Sequence, residues 1–282
     1  MTIRAGFIGL GSMGAPIARR LARRGFDVTG CDIAPEMLEA FDEPGTKRSA
    51  DAVETARDSD MLGICVRTDA QLEAVLGDGR VFAALGGGGI LFLHSTVAPE
   101  LAVSLAERAA VHGVDFIDVG VSGGAPRALE GTLSLFVGAE DAALERARPW
   151  LDAIGATAHL GPVGRGQVGK LLNNLVSVAN YGMAASILDV GDKLGFDREQ
   201  LRQALMAGSA QGFALQAVVG LLRPRGGLGA PGTSESLHDL LKKDVDHAAT
   251  LLPATDPAMA GLLASCDVML KRILQSAEEG KG

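Results

Sequence analysis

The chain has 282 residues, 47% of them apolar, enough for two domains or one large α/β domain with an ample core that needs no disulfide staples. A formal net charge of −8 excludes nucleic acid and an anionic membrane surface as main partners, because both select basic surfaces. Cys31, Cys65 and Cys266 are too far apart for a metal-ligand spacing and odd in number for a disulfide framework, so no metal site is expected, and Cys31 and Cys65, in apolar runs that read as strands, are expected to be buried free thiols.

The N-terminus enters a strand pattern without a charged and apolar leader. No uninterrupted apolar run reaches the roughly 18 residues of a spanning helix. The expectation is a cytoplasmic protein.

Ile3 to Ile8 is a short apolar run that leads straight into Gly9-Leu10-Gly11-Ser12-Met13-Gly14, the spacing G-x-G-x-x-G. The three glycines serve different ends. Gly9 permits the tight turn, Gly11 lets the backbone approach a pyrophosphate, and Gly14 lets the next helix pack close to the strand. That helix has an apolar face of Ile17, Ala18, Leu21 and Ala22 opposite Arg19, Arg20, Arg23 and Arg24, and Gly25 stops it. Phe26 to Cys31 reads as the second strand. Asp32 ends it, 18 residues after Gly14, where an acid meets the adenosine ribose hydroxyls. A carboxylate there repels a 2′-phosphate, and Ile33 and Ala34 offer no arginine to hold one. The cofactor expected is NAD, preferred over NADP.

Met61 to Val66 and Gly89 to His94 read as parallel strands buried on two faces. Each ends in small polar residues, Arg67-Thr68-Asp69 and Ser95-Thr96, where an open parallel sheet exposes its ligand-binding edge, and Val66 and Thr96 are the cofactor contacts expected there. Pro99 opens a helix carrying Leu101, Leu105 and Ala109, and Val114 to Val119 is the next strand. Gly120-Val121-Ser122-Gly123-Gly124-Ala125-Pro126 follows as a second glycine-rich turn; taken alone it reads first as a plain Gly-Pro loop, and its N–H groups can also form a nest for a carboxylate with Ser122 as a further donor. Thr132 to Val137 is a strand, Ala142 to Ile154 a helix and Thr157 to Leu160 a closing strand.

The alternation ends at Gly161-Pro162-Val163-Gly164-Arg165-Gly166-Gln167-Val168-Gly169-Lys170. From Gly164 this stretch nearly spells a phosphate-binding loop, but Leu171 stands where the magnesium-binding hydroxyl belongs. A solvated lysine on an ordinary helix is the other plain reading. The sequence predicts a helix from Lys170 to about Lys193 on which Lys170, Asn174 and Ser177 share a face. Its small residues, Ala179, Gly182, Ala184, Ala185 and Ser186, allow close helix packing, and a homodimer or homotetramer is expected. A Gly- and Pro-rich segment, Arg223 to Thr233, precedes a helix bearing Lys242-Lys243-Asp244, and a last helix spans about Pro257 to Ser276. Of the five histidines, only His94, at a strand end, is a serious candidate base, and with Lys170 available the lysine is preferred to it.

Taken together, these motifs resemble the β-hydroxyacid dehydrogenases, the family of 3-hydroxyisobutyrate dehydrogenase and tartronate semialdehyde reductase. The resemblance spans nearly the whole chain. Its fingerprint stands at Gly6 to Gly14. The substrate signature covers Asp118 through Gly124 with Gly131-Thr132-Leu133, the catalytic signature Gly161, Gly164, Gly166, Lys170 and Asn174, and a Lys-Asp pair stands at Lys243-Asp244. It implies a Rossmann-type doubly wound parallel sheet over residues 1–161, followed by an all-helical C-terminal domain over 162–282. It further implies Lys170 as general acid/base, Asn174 positioning substrate and lysine, Ser122, Gly123 and Gly124 holding a small carboxylate substrate, and Lys243 at the nicotinamide end. A lysine in a partly desolvated cleft has its pKa lowered and exchanges a proton near neutrality. Two departures stand out: the family's usual proline before the substrate turn is Gly120, and the Arg223–Thr233 segment replaces the usual link. The alternatives are an imine reductase, whose relatives typically lack the lysine, and a cofactor-binding protein without turnover.

Overall fold

A computed structural model describes residues 2–221, 233–253 and 255–279. Except for Thr233, the Arg223–Thr233 segment lies outside the described residues. The contacts divide into two units, Met1–Lys170 and Leu171–Gly282.

In the first unit the strands are β1 (Arg4–Ile8), β2 (Asp27–Cys31), β3 (Lys47–Ser49), β4 (Met61–Ile64), β5 (Ile90–Leu93), β6 (Asp115–Ser122), β7 (Leu133–Gly138) and β8 (Gly155–His159). The helices are α1 (Gly14–Arg23), α2 (Pro35–Ala40), α3 (Ala52–Arg57), α4 (Asp69–Leu76), α5 (Arg80–Leu85), α6 (Pro99–Val111), α7 (Gly124–Glu130) and α8 (Asp141–Ile154). One sheet runs in the order β3-β2-β1-β4-β5-β6-β7-β8. The order reverses between β1 and β4, which is the switch point where a doubly wound sheet binds its ligand. Strands β1 to β6 are parallel, whereas β7 runs antiparallel to β6. The 123–132 connection is shorter than the dozen or so residues a parallel crossover requires.

Strand alternation sorts the sheet's side chains into two cores. Phe7, Phe92, Ile117, Val119, Leu135 and Val137 face α1 and α8 through Ile17, Leu21, Trp150 and Leu151. On the other face, Ile8, Leu62, Ile64, Leu91 and Leu93 meet Leu72, Leu76, Phe82 and Leu105. Burial on both faces explains why β4 and β5 are continuous apolar runs.

The second unit is helical. Helix α9 (Arg165–Lys193) enters it from the first, followed by α10 (Arg198–Ala207), α11 (Phe213–Leu221), α12 (Thr233–Ala249) and α13 (Pro257–Glu279). Leu171, Leu175 and Val178 of α9 form a core with Val245 and Ala248 of α12 and Met259, Met269 and Ile273 of α13. The small residues of α9 serve packing inside the chain: a Cβ on Gly182 would strike the Ser265 carbonyl. Among the described residues α9 alone is long and apolar enough to cross a membrane, but its buried side belongs to these cores.

Two local expectations are corrected. Helix α9 begins at Arg165, so Gly166 and Gly169 lie inside it and Lys170 stands in its second turn. Strand β6 continues through Gly120 and Val121 to Ser122, which shrinks the second glycine-rich turn to Gly123 and Gly124.

Candidate active site

The glycine loop after β1 is shaped by close approach. Gly9 has φ 91°, and a Cβ there would collide with the Cys65 carbonyl, while one on Gly14 would collide with the Gly9 carbonyl. Gly11 has nothing within 4 Å of where its Cβ would stand. This open side adjoins the start of α1, where Met13 makes no side-chain cap and the first turn has no acid. An uncapped helix start beside an unobstructed glycine, with Ser12 exposed next to it, fits a dinucleotide pyrophosphate.

Asp32 stands past β2. Its carboxylate accepts from Leu10 N at 2.7 Å and from Ala34 N at 2.9 Å, so the acid is held against the glycine loop by one oxygen and against its own turn by the other. Val66, past β4, donates its N–H to Ser95 Oγ at 2.8 Å. Thr96, past β5, is half-buried. The C-terminal ends of β1, β2, β4 and β5 therefore gather the sequence-predicted cofactor residues of the first unit.

Strand β6 supplies the other part of the site. Alternation places Asp118, Gly120 and Ser122 on one face. Asp118 is fully buried and accepts from Gly164 N at 2.8 Å and Gln167 N at 2.6 Å, thereby capping α9. Burial pushes its carboxyl up to about 6, against the backbone hydrogen bonds that favour the anion. Gln167, also fully buried, accepts from Val97 N at 3.1 Å and donates to the Ser95 carbonyl at 3.0 Å. These bonds tie the first turn of α9 to the edge that carries Thr96.

One turn further along, Lys170 is half-buried with its stem against Gly120. Burial raises the Cys65 thiol to about 11, and the charge of Lys170 opposes that rise. The lysine therefore lies within electrostatic reach of the Cys65–Val66 edge. Gly123 (φ 137°) and Gly124 (φ 74°) take backbone conformations that side chains disfavour, and both are exposed beside half-buried Ser122.

In the second unit, Asn174 follows Lys170 by one turn of α9. Its Nδ2 donates to Asp244 Oδ2 at 2.6 Å, and Lys243 Nζ lies 3.0 Å from Asp244 Oδ1. Asn173 Nδ2 donates to Asn174 Oδ1 at 3.1 Å. The predicted residues Asn174 and Lys243 thus meet at one buried carboxylate.

His94, set aside as a base in favour of Lys170, has no place in the site. It is buried in a stack with Phe7, Phe92 and Trp150 and accepts from Trp150 Nε1 at 3.3 Å. Burial lowers its pKa to about 4, so it is a neutral core residue. Residue-by-residue reading gave no role to Gln167 or Asp244 and left Asp118 as a motif letter. For Asp118 the available signal was an acid set among the apolar residues of a strand, which demands partners; Asp244, between Lys243 and Val245, carried no such signal.

Two family profiles match consecutive parts of the chain. Residues 4–164 match the NAD binding domain of 6-phosphogluconate dehydrogenase, and 164–282 the NAD-binding region of NADP-dependent 3-hydroxyisobutyrate dehydrogenase. The 2-(hydroxymethyl)glutarate dehydrogenase of Eubacterium barkeri is 33% identical over 77% of this chain and 72% of its own. This chain belongs to the 3-hydroxyisobutyrate dehydrogenase family. The 2-hydroxy-3-oxopropionate reductase of Escherichia coli K12 is 36% identical over 76% of this chain and 74% of its own. The solved 3-hydroxyisobutyrate dehydrogenase of Mycobacterium tuberculosis, with L-serine, superposes with TM-score 0.82 at 26% identity, covering 98% of this chain and 96% of that one. Membership of this family makes the protein an oxidoreductase with a nicotinamide cofactor, and the Rossmann-type unit followed by a helical one agrees with it.

Proposed function

We propose that the protein interconverts a small 3-hydroxy acid and its semialdehyde or keto acid, with Lys170 as the general acid/base. The observation that carries this reading is the arrangement on one face of β6, where Asp118 anchors α9, Gly120 receives the Lys170 stem and Ser122 leads into the Gly123–Gly124 turn. Strand geometry sets Ser122 about 7 Å along from the residue beneath the lysine, a spacing suited to a substrate with a carboxylate at one end and a hydroxyl two carbons away. The relatives point to the same unit: hydroxymethylglutarate, hydroxyoxopropionate and serine each join a carboxylate to a carbon bearing a hydroxymethyl or aldehyde group.

In this reading Ser122, Gly123 and Gly124 bind the substrate carboxylate, and Asn174, held by Asp244, orients the substrate hydroxyl. Bound nicotinamide supplies the hydride acceptor or donor. Lys170 takes the hydroxyl proton during oxidation and returns it during reduction. Gly9, Leu10, Gly11, Ser12, Met13 and Gly14 cradle the pyrophosphate, Asp32 holds the ribose hydroxyls and favours NAD over NADP, Val66 and Thr96 line the cofactor, and Lys243 flanks the nicotinamide end. A face of α9 bearing exposed Leu172, Val176, Met183, Ile187 and Val190 supports self-association as a dimer or tetramer.

The direct test is formation of reduced cofactor from NAD⁺ and NADP⁺ with a panel of hydroxy acids, run beside cyclic imines in the reductive direction. Turnover of 3-hydroxy acids, with NAD⁺ preferred, is expected. Turnover of imines alone, or none despite tight cofactor binding, would replace this reading with the imine reductase or the non-catalytic one.

A further inference from the structure

We propose that Gly120 is the positioning residue for Lys170: the missing side chain on β6 sets how deeply the lysine stands beside the Ser122 turn. The inference rests on Lys170 being the general acid/base. A Cβ built on Gly120 would meet Lys170 Cβ well inside 3.0 Å, Lys170 Cγ at 2.9 Å and the Gly166 carbonyl at 3.4 Å. The first of these is the root of the lysine side chain, which no rotamer change can move. A side chain at 120 therefore has to displace the backbone of α9 at Lys170.

The helix has little room to yield elsewhere. A Cβ on Gly166 would stand 2.6 Å from both the Asp118 and Phe136 carbonyls, and one on Gly138 would stand 2.8 Å from Gly166 N and the Pro162 carbonyl. Three glycines thus let the first turns of α9 sink between β6 and β7, and the bonds from Gly164 and Gln167 to Asp118 hold them there. Restoring ordinary van der Waals contact at position 120 would move Lys170 by about 1 Å. Ser122, on the same strand, would not move with it. The span between the proton-transfer group and the carboxylate turn is therefore fixed at Gly120, the position where the family resemblance puts a proline.

Displacement of a reacting group by that distance costs about 10- to 100-fold in turnover. Gly120→Ala is expected to bind NADH like the parent, to keep KM for a 3-hydroxy acid within a few-fold, to lose about 10- to 100-fold in kcat, and to show a displaced pH profile of kcat. Lys170→Ala, measured alongside, separates the two ideas. If Lys170→Ala is inactive while Gly120→Ala keeps the parental kcat and pH profile, the positioning role is overturned and the general acid/base role stands. If Lys170→Ala keeps most of the parental rate, the general acid/base role falls and this inference with it. Should Gly120→Ala fail to fold, the pair Gly120→Ala with Lys170→Gly removes the collision: recovery of folding supports the contact, and no recovery overturns it.

Discussion

Asp32 shows how one carboxylate serves both structure and selectivity. Leu10 N and Ala34 N hold it in place, so its charge sits at a fixed point beside the glycine loop, where a 2′-phosphate would meet like charge. Asp32→Ala is expected to reduce the preference for NAD over NADP by about tenfold or more, read from kcat/KM with each cofactor; an unchanged ratio would refute the assignment. Two other buried groups set the response to acid. The pKa of His94 is lowered from 6.5 to about 4, so its contribution is present above 6.5 and lost as pH falls through 4, on the order of 3 kcal/mol. Asp118 is raised from 3.8 to about 6, and its contribution runs the other way, present below 3.8 and lost as pH rises through 6. The two oppose each other between about 4 and 6. Asp118→Asn removes one of them, so urea melts of that variant should lose stability more steeply than the parent on going from pH 6.5 to 4; parallel curves would contradict the balance.

At the scale of elements, the join of β6 and α9 was the least legible part of the chain. The glycine fingerprint could be read because a short apolar strand, three spaced glycines and an amphipathic helix occur in sequence, each with its own period. Gly161 to Gly169 misled in the opposite way. Glycines ordinarily punctuate helices, yet Gly166 lies inside α9 because β6 and β7 approach it too closely for any side chain. That approach is a tertiary fact with no local signature. Gly120 and Val121 were likewise assigned to a turn, although they continue a buried strand. The antiparallel β7 was hidden by that misassignment, since a strand ending at Val119 leaves a connection of crossover length before Thr132, and only the continuation of β6 to Ser122 makes it too short. Gly166→Ala would press against three oxygens, two of them backbone carbonyls, and is expected to cost about 1–3 kcal/mol in thermal or urea unfolding. A cost near zero would mean that the glycine wedge is looser than described.

For the whole molecule, hydrophobic periodicity shows a change of pattern: strands alternate with helices up to Leu160, and nearly everything afterwards is helical, while the contacts divide the chain at Lys170. The role of the small residues on α9 was harder to read. Gly182 packs against α13 of the same chain, while the exposed stripe on α9 lies at other positions of the helix. Self-association through that stripe predicts a dimer or tetramer in sedimentation velocity, and Met183→Glu with Ile187→Glu should shift it to monomer. A parent that sediments as a monomer at micromolar concentration would reject this. The central claim is that Lys170 moves the proton. Its most direct test is Lys170→Ala, assayed for turnover of a 3-hydroxy acid and titrated with NADH. We expect turnover to fall by about 10³-fold or more, at the level of a lost general acid/base, with NADH affinity kept within a few-fold. A variant that binds NADH and retains most of the parental rate would contradict the account.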